Sequence, residues 1–429
     1  MKKFWSYLLL LWITVSGLLS QAQDIDYARF VMDTLSAPGM HGRGYVKYGA
    51  HRAAEFLARE FFNLGARPFN DSYSQEFRLD INTFPGGMMA NIDGKVLEPG
   101  TEFIVHASSP SVNQVFDLVF VDAEMLENNR KFNKLLKTNL TNSMLVFDRS
   151  QMAGISARTA DSALTSNFFN AGGYMLINAK NNLVWSIWPG FEQRQFPVIE
   201  VREDVMPRKP SRIALTIEAE FMEEVLVRNV IAQLKGSHSS DTCIVFTAHY
   251  DHLGRMGQNT YFPGANDNAS GVAMLLDLAR HFSDSINRPS YNLVFIALAA
   301  EEMGLLGSEY YVEHPLFPLN KIKVLVNLDM VGTGSEGITV VNGAIYPEML
   351  EFFRKINQEK QYLPEIAMRG ESCNSDHCPF YKAGVPSVFI YTRGNEHREY
   401  HSPYDQSHRV PLSRYNELFR LLQDFILTY

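Results

Sequence analysis

Long apolar runs alternate with polar segments over the carboxyl-terminal half of the chain. From Leu226 onward, short β-prone runs are separated by segments in which apolar residues recur at helical spacing. The strand candidates are residues 228–234, 243–248, 293–299, 323–328 and 387–391, and the helix candidates are 269–282, 303–312, 347–359 and 415–426. Continuous apolar strands separated by helices are typical of a mostly parallel sheet with helices on both faces. The pattern therefore predicts an α/β fold.

The segment from Asp24 to Phe77 has a helical pattern. Ala54, Leu57 and Phe61 recur at three- and four-residue spacing, and Gly65 is placed to end that helix. We expect the helix to pack on the main sheet.

Residues 83–225 have a different character. Short β-prone runs, such as 102–105, 118–122 and 144–148, alternate with Gly, Pro, Asn and Ser. This part contains few candidate ligands, which favours a lid, spacer or binding role. We predict an inserted β-rich domain at 83–225 and a catalytic domain formed by 23–82 and 226–429.

The amino terminus has the pattern of a secretory signal peptide at residues 1–22. A short basic start is followed by an apolar run from Leu8 to Leu19 and then by small residues. A membrane anchor is the alternative, but the apolar run is short and no later run is long enough to span a bilayer. The sequence predicts export, to a periplasm or out of the cell.

Composition excludes some partners. The 429 residues carry a formal charge of −8, and 20% of them are charged, so nucleic acid is an unsuitable partner and a disordered chain is excluded. The length is that of one large core plus an accessory module. It does not determine the oligomeric state.

The chain has three cysteines. Cys373 and Cys378 are close enough in sequence to bridge a short loop in an exported protein, which would leave Cys243 buried in its strand. The alternative is a pair of small buried thiols.

Four of the predicted strands lead to acidic or imidazole side chains. In chain order, these are His249 with Asp251, then Glu301 with Glu302, then Asp329, and finally His401 beyond a loop. Asp267 joins them from a loop that leads into a helix. Because ligand sites of open α/β sheets lie beyond the carboxyl ends of the strands, we expect these groups to meet at one edge.

Two histidines and three carboxylates exceed what one tetrahedral zinc ion needs, and they suit two zinc ions that share a carboxylate. Asp267 is the predicted bridge. One ion would take His249 and Asp329, and the other would take Glu302 and His401. Glu301 then remains beside the site, where a free carboxylate acts as general base toward a metal-activated water.

Several polar neighbours of these ligands have other expected roles. Asp251 is predicted to accept the second N–H of the first histidine ligand, with simple solvation as the alternative. Asp405 is predicted to do the same for the last histidine. His252 is expected to be a plain polar or capping residue, and Ser-Asp-His at 375–377 is as compatible with a helix start as with a functional element.

Five motifs resemble those of the co-catalytic di-zinc peptidases of metallopeptidase family M28. They are HYDHLG at 249–254, GANDNASG at 264–271, AEEMGLLGS at 300–308, LDMVG at 328–332 and YHSPYD at 400–405. That family includes secreted leucyl aminopeptidases, aminopeptidase Y, glutamate carboxypeptidases and, more distantly, glutaminyl cyclases. The resemblance covers about residues 25–82 and 226–429 and implies a phosphorylase/hydrolase-like fold.

The resemblance implies the same five zinc ligands, with Glu301 as base. It also implies that Tyr400 hydrogen-bonds the oxyanion of the tetrahedral intermediate. Without the resemblance, Tyr400 would be interpreted as a packed aromatic residue. The inserted segment is similar to a protease-associated domain, through residues 170–178 and 196–201.

These observations predict an exported zinc aminopeptidase that acts on peptides. A carboxypeptidase or dipeptidase of the same family is the first alternative, in which Arg393 or Arg398 would bind a terminal carboxylate unless both are merely solvated. A glutaminyl cyclase is the second, since cyclases keep much of this ligand set. The non-enzyme alternative is a silent peptide-binding protein.

Overall fold

The computed structural model describes residues 24–179 and 182–429, so the predicted signal peptide lies outside the described residues. The strands are β1 Ser74–Thr83, β2 Met88–Ile92, β3 Lys95–Leu97, β4 Phe103–Val105, β5 Val112–Val121, β6 Ser143–Asp148, β7 Gly173–Asn178, β8 Val198–Arg202, β9 Arg212–Ile217, β10 Glu220–Leu234, β11 Cys243–His249, β12 Arg255–Met256, β13 Thr260–Tyr261, β14 Asn292–Leu298, β15 Ile322–Leu328, β16 Gly337–Val341, β17 Ile366–Met368 and β18 Ser387–Arg393. The α-helices are α1 Ile25–Leu35, α2 Gly49–Asn63, α3 Ala123–Glu127, α4 Asn129–Leu136, α5 Gly154–Ser166, α6 Ser270–Ser283, α7 Leu306–Glu313, α8 Pro347–Lys360, α9 His377–Lys382 and α10 Tyr415–Thr428.

The main sheet has eight strands in the order β1-β10-β14-β11-β15-β18-β16-β17. Strands β14, β11, β15 and β18 run parallel to one another, as the apolar strand pattern predicts. Strands β1 and β10 add antiparallel pairings on one side, and β16 pairs antiparallel with β18 on the other. The α/β class is confirmed, in a mixed sheet whose parallel centre carries the predicted ligands.

Both faces of the central strands are buried. Along β11, Ile244 and Phe246 join the larger apolar core, whereas Val245 belongs to a smaller cluster on the opposite face. This follows from the two-residue period of a strand. Helix α6 covers the first face, and Tyr311 of α7 packs with the second cluster. The sheet is therefore held between helical layers, as predicted.

The helical prediction for Asp24 to Phe77 is wrong at its end. Helices α1 and α2 form, but β1 begins at Ser74 and pairs with β10. Phe77, Leu79 and Ile81 alternate with more exposed residues, which is the period of a half-buried strand. Strand β10 in turn begins at Glu220, earlier than predicted, because it pairs with β1 over this added length.

Residues 88–217 form a second eight-stranded sheet in the order β3-β2-β9-β5-β6-β7-β8-β4. Leu145, Phe147 and Tyr174 lie in an apolar cluster of its own, with Ala160 and Ala163 of α5. The limits 83–225 of the inserted domain stay a prediction.

The cysteine pairing is confirmed. Cys373 and Cys378 form a disulfide, and Cys243 is a buried free thiol. Burial raises the pKa of the Cys243 thiol to about 12, so this sulfur stays protonated near neutral pH. Over 24–179 and 182–429, no helix has the combination of length and apolar character needed to cross a membrane.

Candidate metal centre

The parallel strands bring the predicted ligands to one edge of the sheet. His249 closes β11, and the register pairs it with Leu298, the last residue of β14, which Glu301 and Glu302 follow closely. Asp329 comes directly after β15, and Asp267 lies in the irregular turn that precedes α6. Aligned carboxyl ends thus place these groups together.

Asp267 lies between the two histidine ligands. Its Oδ1 is 3.3 Å from Nε2 of His249, and its Oδ2 is 3.0 Å from Nε2 of His401. Asp329 Oδ1 is 3.4 Å from Nε2 of His249, and Glu302 Oε2 is 3.2 Å from Nε2 of His401. Asp267 therefore faces both histidines. In addition, Asp329 faces His249, and Glu302 faces His401.

These separations fit zinc. Ligands about 2.0–2.2 Å from a tetrahedral zinc ion lie about 3.3 Å from one another, which matches the four distances. The ligands are nearly buried, and Asp329 Oδ1 has no hydrogen-bond partner in the described part of the chain. A bound cation satisfies such an oxygen. His249 and Asp329 would hold one ion, His401 and Glu302 the other, and Asp267 both.

The second nitrogen of each histidine faces a main-chain carbonyl. Nδ1 of His249 lies 3.2 Å from the carbonyl oxygen of Asp251, and Nδ1 of His401 lies 2.6 Å from that of Trp185. Protonated Nδ1 atoms would leave both Nε2 lone pairs free for metal ions. Trp185 comes from the segment that carries the second sheet, so that segment contributes to the site.

The Asp251 carboxylate has a different role from the predicted one. It lies 3.9 Å from Nδ1 of His249, whose contact is with the Asp251 carbonyl instead. Its two oxygens accept the main-chain N–H groups of Glu301 at 3.1 Å and Glu302 at 3.3 Å. Burial raises the pKa of Asp251 to about 7. This carboxyl group fixes the turn that presents both glutamates.

Asp405 also differs from its predicted role, because His401 is oriented by Trp185. The Asp405 oxygens accept the main-chain N–H groups of Asn266 at 2.8 Å and Asp267 at 3.0 Å. His397 contacts the same carboxylate at 2.8 Å. Asp405 therefore fixes the turn that carries the shared ligand, and sequence patterns gave no signal for His397.

Ser375, in the Ser-Asp-His segment at 375–377, has a role at the site. Its hydroxyl donates to Asp329 Oδ2 at 2.8 Å and accepts from Nδ2 of Asn327 at 2.8 Å. Thr247 in turn donates to Asn327 Oδ1 at 2.7 Å. A hydrogen-bond chain across two neighbouring strands thus orients a metal ligand, while α9 begins two residues later at His377.

Arg43 is a further residue that sequence patterns did not identify. Its side chain is completely buried, although no carboxylate lies within ion-pair distance of it in the described residues. The guanidinium donates to the main-chain carbonyls of Leu35, Tyr250, Pro263, Gly264 and Asp267. Burial lowers the pKa of Arg43 to about 10, and the nearby carboxylates oppose that effect, so it stays charged.

His252 contacts a ligand, although it was excluded from the predicted metal set. Its Nδ1 lies 2.7 Å from Glu302 Oε1, which leaves Glu302 Oε2 facing His401. His252 groups with Asp267, Glu302 and His401 as one set of close ligand atoms. Its contact with Glu302 orients that carboxylate.

Strained backbone flanks the ligands. Ala300, Met330 and His401 have φ values of 55°, 59° and 51°, in the left-handed region that residues other than glycine rarely adopt. Ala300 precedes Glu301, and Met330 follows Asp329. Such strain persists only where surrounding contacts fix the chain, and it clusters at functional sites.

Glu301 lies at the mouth of the cluster. Its carboxylate is 4.0 Å from Nε2 of His249 and lines a cavity of about 250 Å³. Burial raises the pKa of Glu301 well above its ordinary value, with Glu302, Asp376 and Asp329 adding to the effect and His249 opposing it. This placement suits a group that exchanges a proton with a bound molecule.

Tyr400 forms part of the same cavity wall. Its ring stacks on that of His401 with centroids 3.8 Å apart, and 45% of the residue is exposed. Partial burial and the carboxylates of the cluster raise the pKa of Tyr400, so its hydroxyl stays protonated and can donate a hydrogen bond. The predicted contact with an oxyanion stays a prediction.

The chain is similar in sequence to known peptidases. Residues 229–426 match the model of Peptidase family M28. Aminopeptidase YwaD of Bacillus subtilis is 24% identical over 356 residues, which are 80% of this chain and 74% of that protein. A glutamate carboxypeptidase 2 homolog of Caenorhabditis briggsae is 26% identical over 260 residues, which are 52% of this chain but 30% of that protein.

The fold is also found among solved structures. A crystal structure of BSAP, a zinc aminopeptidase from Bacillus subtilis, superposes with a TM-score of 0.69 at 22% identity, over 94% of each chain. Residues 229–426, which carry all five predicted ligands, therefore belong to peptidase family M28.

Proposed function

We propose that this chain is a zinc-dependent exopeptidase that removes amino-terminal residues from peptides. The observation that carries the proposal is the position of Asp267, whose two oxygens lie 3.3 Å and 3.0 Å from different histidines. Such a carboxylate suits two zinc ions side by side. The similarity to YwaD favours the aminopeptidase type.

Zinc bound at this site would supply positive charge that polarises the scissile carbonyl and acidifies water. Glu301 would take a proton from the attacking water and pass it to the leaving amine. Tyr400, beside His401, would donate a hydrogen bond to the developing oxyanion. The amides of Glu301 and Glu302, fixed by Asp251, keep these carboxylates in place.

A carboxypeptidase is the second candidate, favoured by the similarity to the Caenorhabditis briggsae protein. The two activities differ in which peptide end must be free. We would assay one tripeptide in three forms, unblocked, amino-terminally acetylated and carboxy-terminally amidated. Activity that survives amidation and is lost on acetylation supports the aminopeptidase, and the reverse pattern supports the carboxypeptidase. No hydrolysis of any form by zinc-loaded protein contradicts both.

Zinc dependence is tested on the same substrates. Dialysis against a chelator should abolish hydrolysis, and added zinc should restore it. Elemental analysis of the native protein should find two zinc ions per chain. A value of one would contradict the shared role of Asp267.

We further propose that the protein is exported. The pattern of residues 1–22 and the disulfide between Cys373 and Cys378 support this location, since disulfides persist in oxidising compartments. Cell fractionation with mass spectrometry of the mature amino terminus tests it, and intact protein retained in the cytoplasm would contradict it.

A further inference from the structure

The cavity beside Glu301 has two kinds of wall. Residues of the candidate metal centre line it, and Met330, Phe389 and Tyr391 add apolar surface to the lining. Arg369 also lines the cavity, and among its described lining residues it is the one with a permanent positive charge. A substrate held for attack at the metal centre would therefore place a neighbouring group near this guanidinium.

The guanidinium of Arg369 has no carboxylate within ion-pair distance in the described chain. Its side chain makes a long hydrogen bond of 3.4 Å to the hydroxyl of Ser372. Arg393, in contrast, pairs with Glu365 at 2.9 Å, and Arg398 donates to Asn395 at 2.6 Å. Neither Arg393 nor Arg398 lines the cavity, so the structure does not support them as carboxylate clamps there.

The backbone around Arg369 is fixed before any ligand binds. Its N–H donates to the carbonyl of Val340 at 3.0 Å, and its carbonyl accepts from Ala344 at 3.3 Å. The loop that follows is closed by the disulfide between Cys373 and Cys378. The fixed backbone keeps the Cα of Arg369 beside the cavity, and its exposed side chain, held by one long hydrogen bond, is available to a ligand.

Electrostatics favour an anion next to this arginine. The four carboxylates of the centre, Asp267, Glu301, Glu302 and Asp329, would be balanced by two divalent ions. Arg369 would then be a positive charge on the cavity wall with no carboxylate at ion-pair distance among the described residues. A guanidinium binds a carboxylate with two parallel hydrogen bonds, whereas it gains little from a neutral apolar group.

Resting on the proposed exopeptidase function, we infer that Arg369 selects substrates that place a carboxylate in this cavity. The methylene groups of such a substrate would pack on Phe389 and Tyr391, whose rings form the apolar wall. The carboxylate has two possible sources. It is either an acidic side chain next to the scissile bond or the free terminal carboxylate of a very short peptide.

Two substrate pairs distinguish the sources. The first pair compares glutamyl and glutaminyl chromogenic amides, which differ in charge at nearly constant shape. The second compares a dipeptide with its carboxy-terminal amide. We would measure kcat/KM for each pair with the wild type, with Arg369→Gln and with Arg398→Gln. Arg398→Gln is the control, because it removes the same charge from a residue that does not line the cavity.

We expect the wild type to favour the charged member of one pair, and Arg369→Gln to reduce that preference by about tenfold or more. The effect should appear mainly in KM and weaken with salt, since it comes from binding a charge. The neutral members should be hydrolysed equally by both proteins. Arg398→Gln should behave like the wild type.

Calorimetry provides a readout independent of turnover. For the side-chain source, free glutamate should bind the wild type more tightly than glutamine does; for the terminal source, glutamine should bind more tightly than its carboxy-terminal amide. Arg369→Gln should lose whichever difference the wild type shows. Unchanged preferences and unchanged glutamate binding in Arg369→Gln would overturn the inference while hydrolysis of neutral substrates left the proposed function standing. A protein that hydrolyses none of the substrates would instead contradict the proposed function.

Discussion

The guanidinium of Arg43 donates to the main-chain carbonyl of Asp267 at 3.2 Å, while Asp405 accepts the main-chain N–H of the same residue at 3.0 Å. The peptide groups on both sides of the shared ligand are thus fixed by charged, buried side chains. Arg43 also binds the carbonyls of Pro263 and Gly264. The turn that carries Asp267 therefore depends on contacts from the amino-terminal segment.

We expect Arg43→Met to lower the free energy of unfolding by about 3–5 kcal/mol, because it leaves several buried main-chain carbonyls without their charged donor. Zinc affinity should fall as well, since the Asp267 turn loses its anchor. Urea unfolding and titration against zinc buffers measure the two effects. Arg52→Met is the control, because Arg52 is exposed on α2. Equal effects of both changes would contradict this account.

Glu301→Gln should remove the general base and leave the ligand set intact. We expect kcat to fall by about 10²–10⁴-fold with two zinc ions still bound. Glu302→Gln is the matched comparison, because Glu302 faces His401 at 3.2 Å and its change should lower zinc content as well. Zinc analysis beside steady-state kinetics separates the two. Substantial residual turnover in Glu301→Gln would show that another group takes the proton.

Ser375→Ala removes the hydroxyl that orients Asp329. We expect zinc affinity to fall about 10–100-fold, as is typical when a hydrogen-bond partner of a metal ligand is lost. The free energy of unfolding of the metal-free protein should change far less. Ser283→Ala is the control, since Ser283 bonds only its own helix at Ala279 in the described chain. Unchanged zinc affinity in Ser375→Ala would contradict the orienting role.

His106 should make stability sensitive to acid. Burial, aided by Arg194, lowers the pKa of His106 to about 4 in the folded chain. The unfolded chain therefore binds the proton first as pH falls below about 6.5, and stability is lost progressively from there to about pH 4. Above about pH 6.5, His106 is neutral in the folded and the unfolded chain, so it does not make the free energy of unfolding depend on pH. The loss amounts to about 3 kcal/mol.

The His106 prediction is checked by urea unfolding of chelator-treated protein at pH 7.5 and pH 4.5. The difference in unfolding free energy between the two pH values should be smaller in His106→Gln than in the wild type. Using this difference cancels any cost of the substitution that does not depend on pH. An identical difference in both proteins would contradict the assignment.

The sequence was sufficient to predict that the residues following the strand ends lie together. His249, Asp329 and Glu302 are found together because parallel strands in register end at the same edge, and apolar runs reveal where those strands end. The swap of roles at Asp251 was not predictable. Whether its carbonyl or its carboxylate faces His249 depends on the path of the chain after β11, which no periodicity encodes.

Contacts between distant parts of the chain could also not be predicted from the sequence. Arg43 meets Asp267 across 224 positions, and Trp185 meets His401 across 216. Both pairings use main-chain carbonyls, which every residue has, so no residue type marks them. Ser375 carried a partial signal as part of a polar segment, but its partner Asp329 depends on how β15 and α9 are placed.

Trp185 gives the segment of the second sheet a direct role at the metal centre. Its carbonyl faces Nδ1 of His401 at 2.6 Å, and its indole packs on Phe262 with ring centroids 4.6 Å apart. The indole N–H donates to the carbonyl of Val105 at 2.7 Å. The buried ring thus sets the position of the carbonyl that orients His401.

We expect Trp185→Ala to destabilise the fold by about 3–5 kcal/mol and to weaken the zinc site formed by His401 and Glu302. Loss of the ring frees the local backbone, so His401 loses the acceptor that directs its Nε2 toward the metal. Trp188→Ala is the matched control, because 54% of Trp188 is exposed. Zinc titration should show one site of reduced zinc affinity in Trp185→Ala and two high-affinity sites in the control. Two tight ions in both variants would mean that the second sheet does not help to position His401.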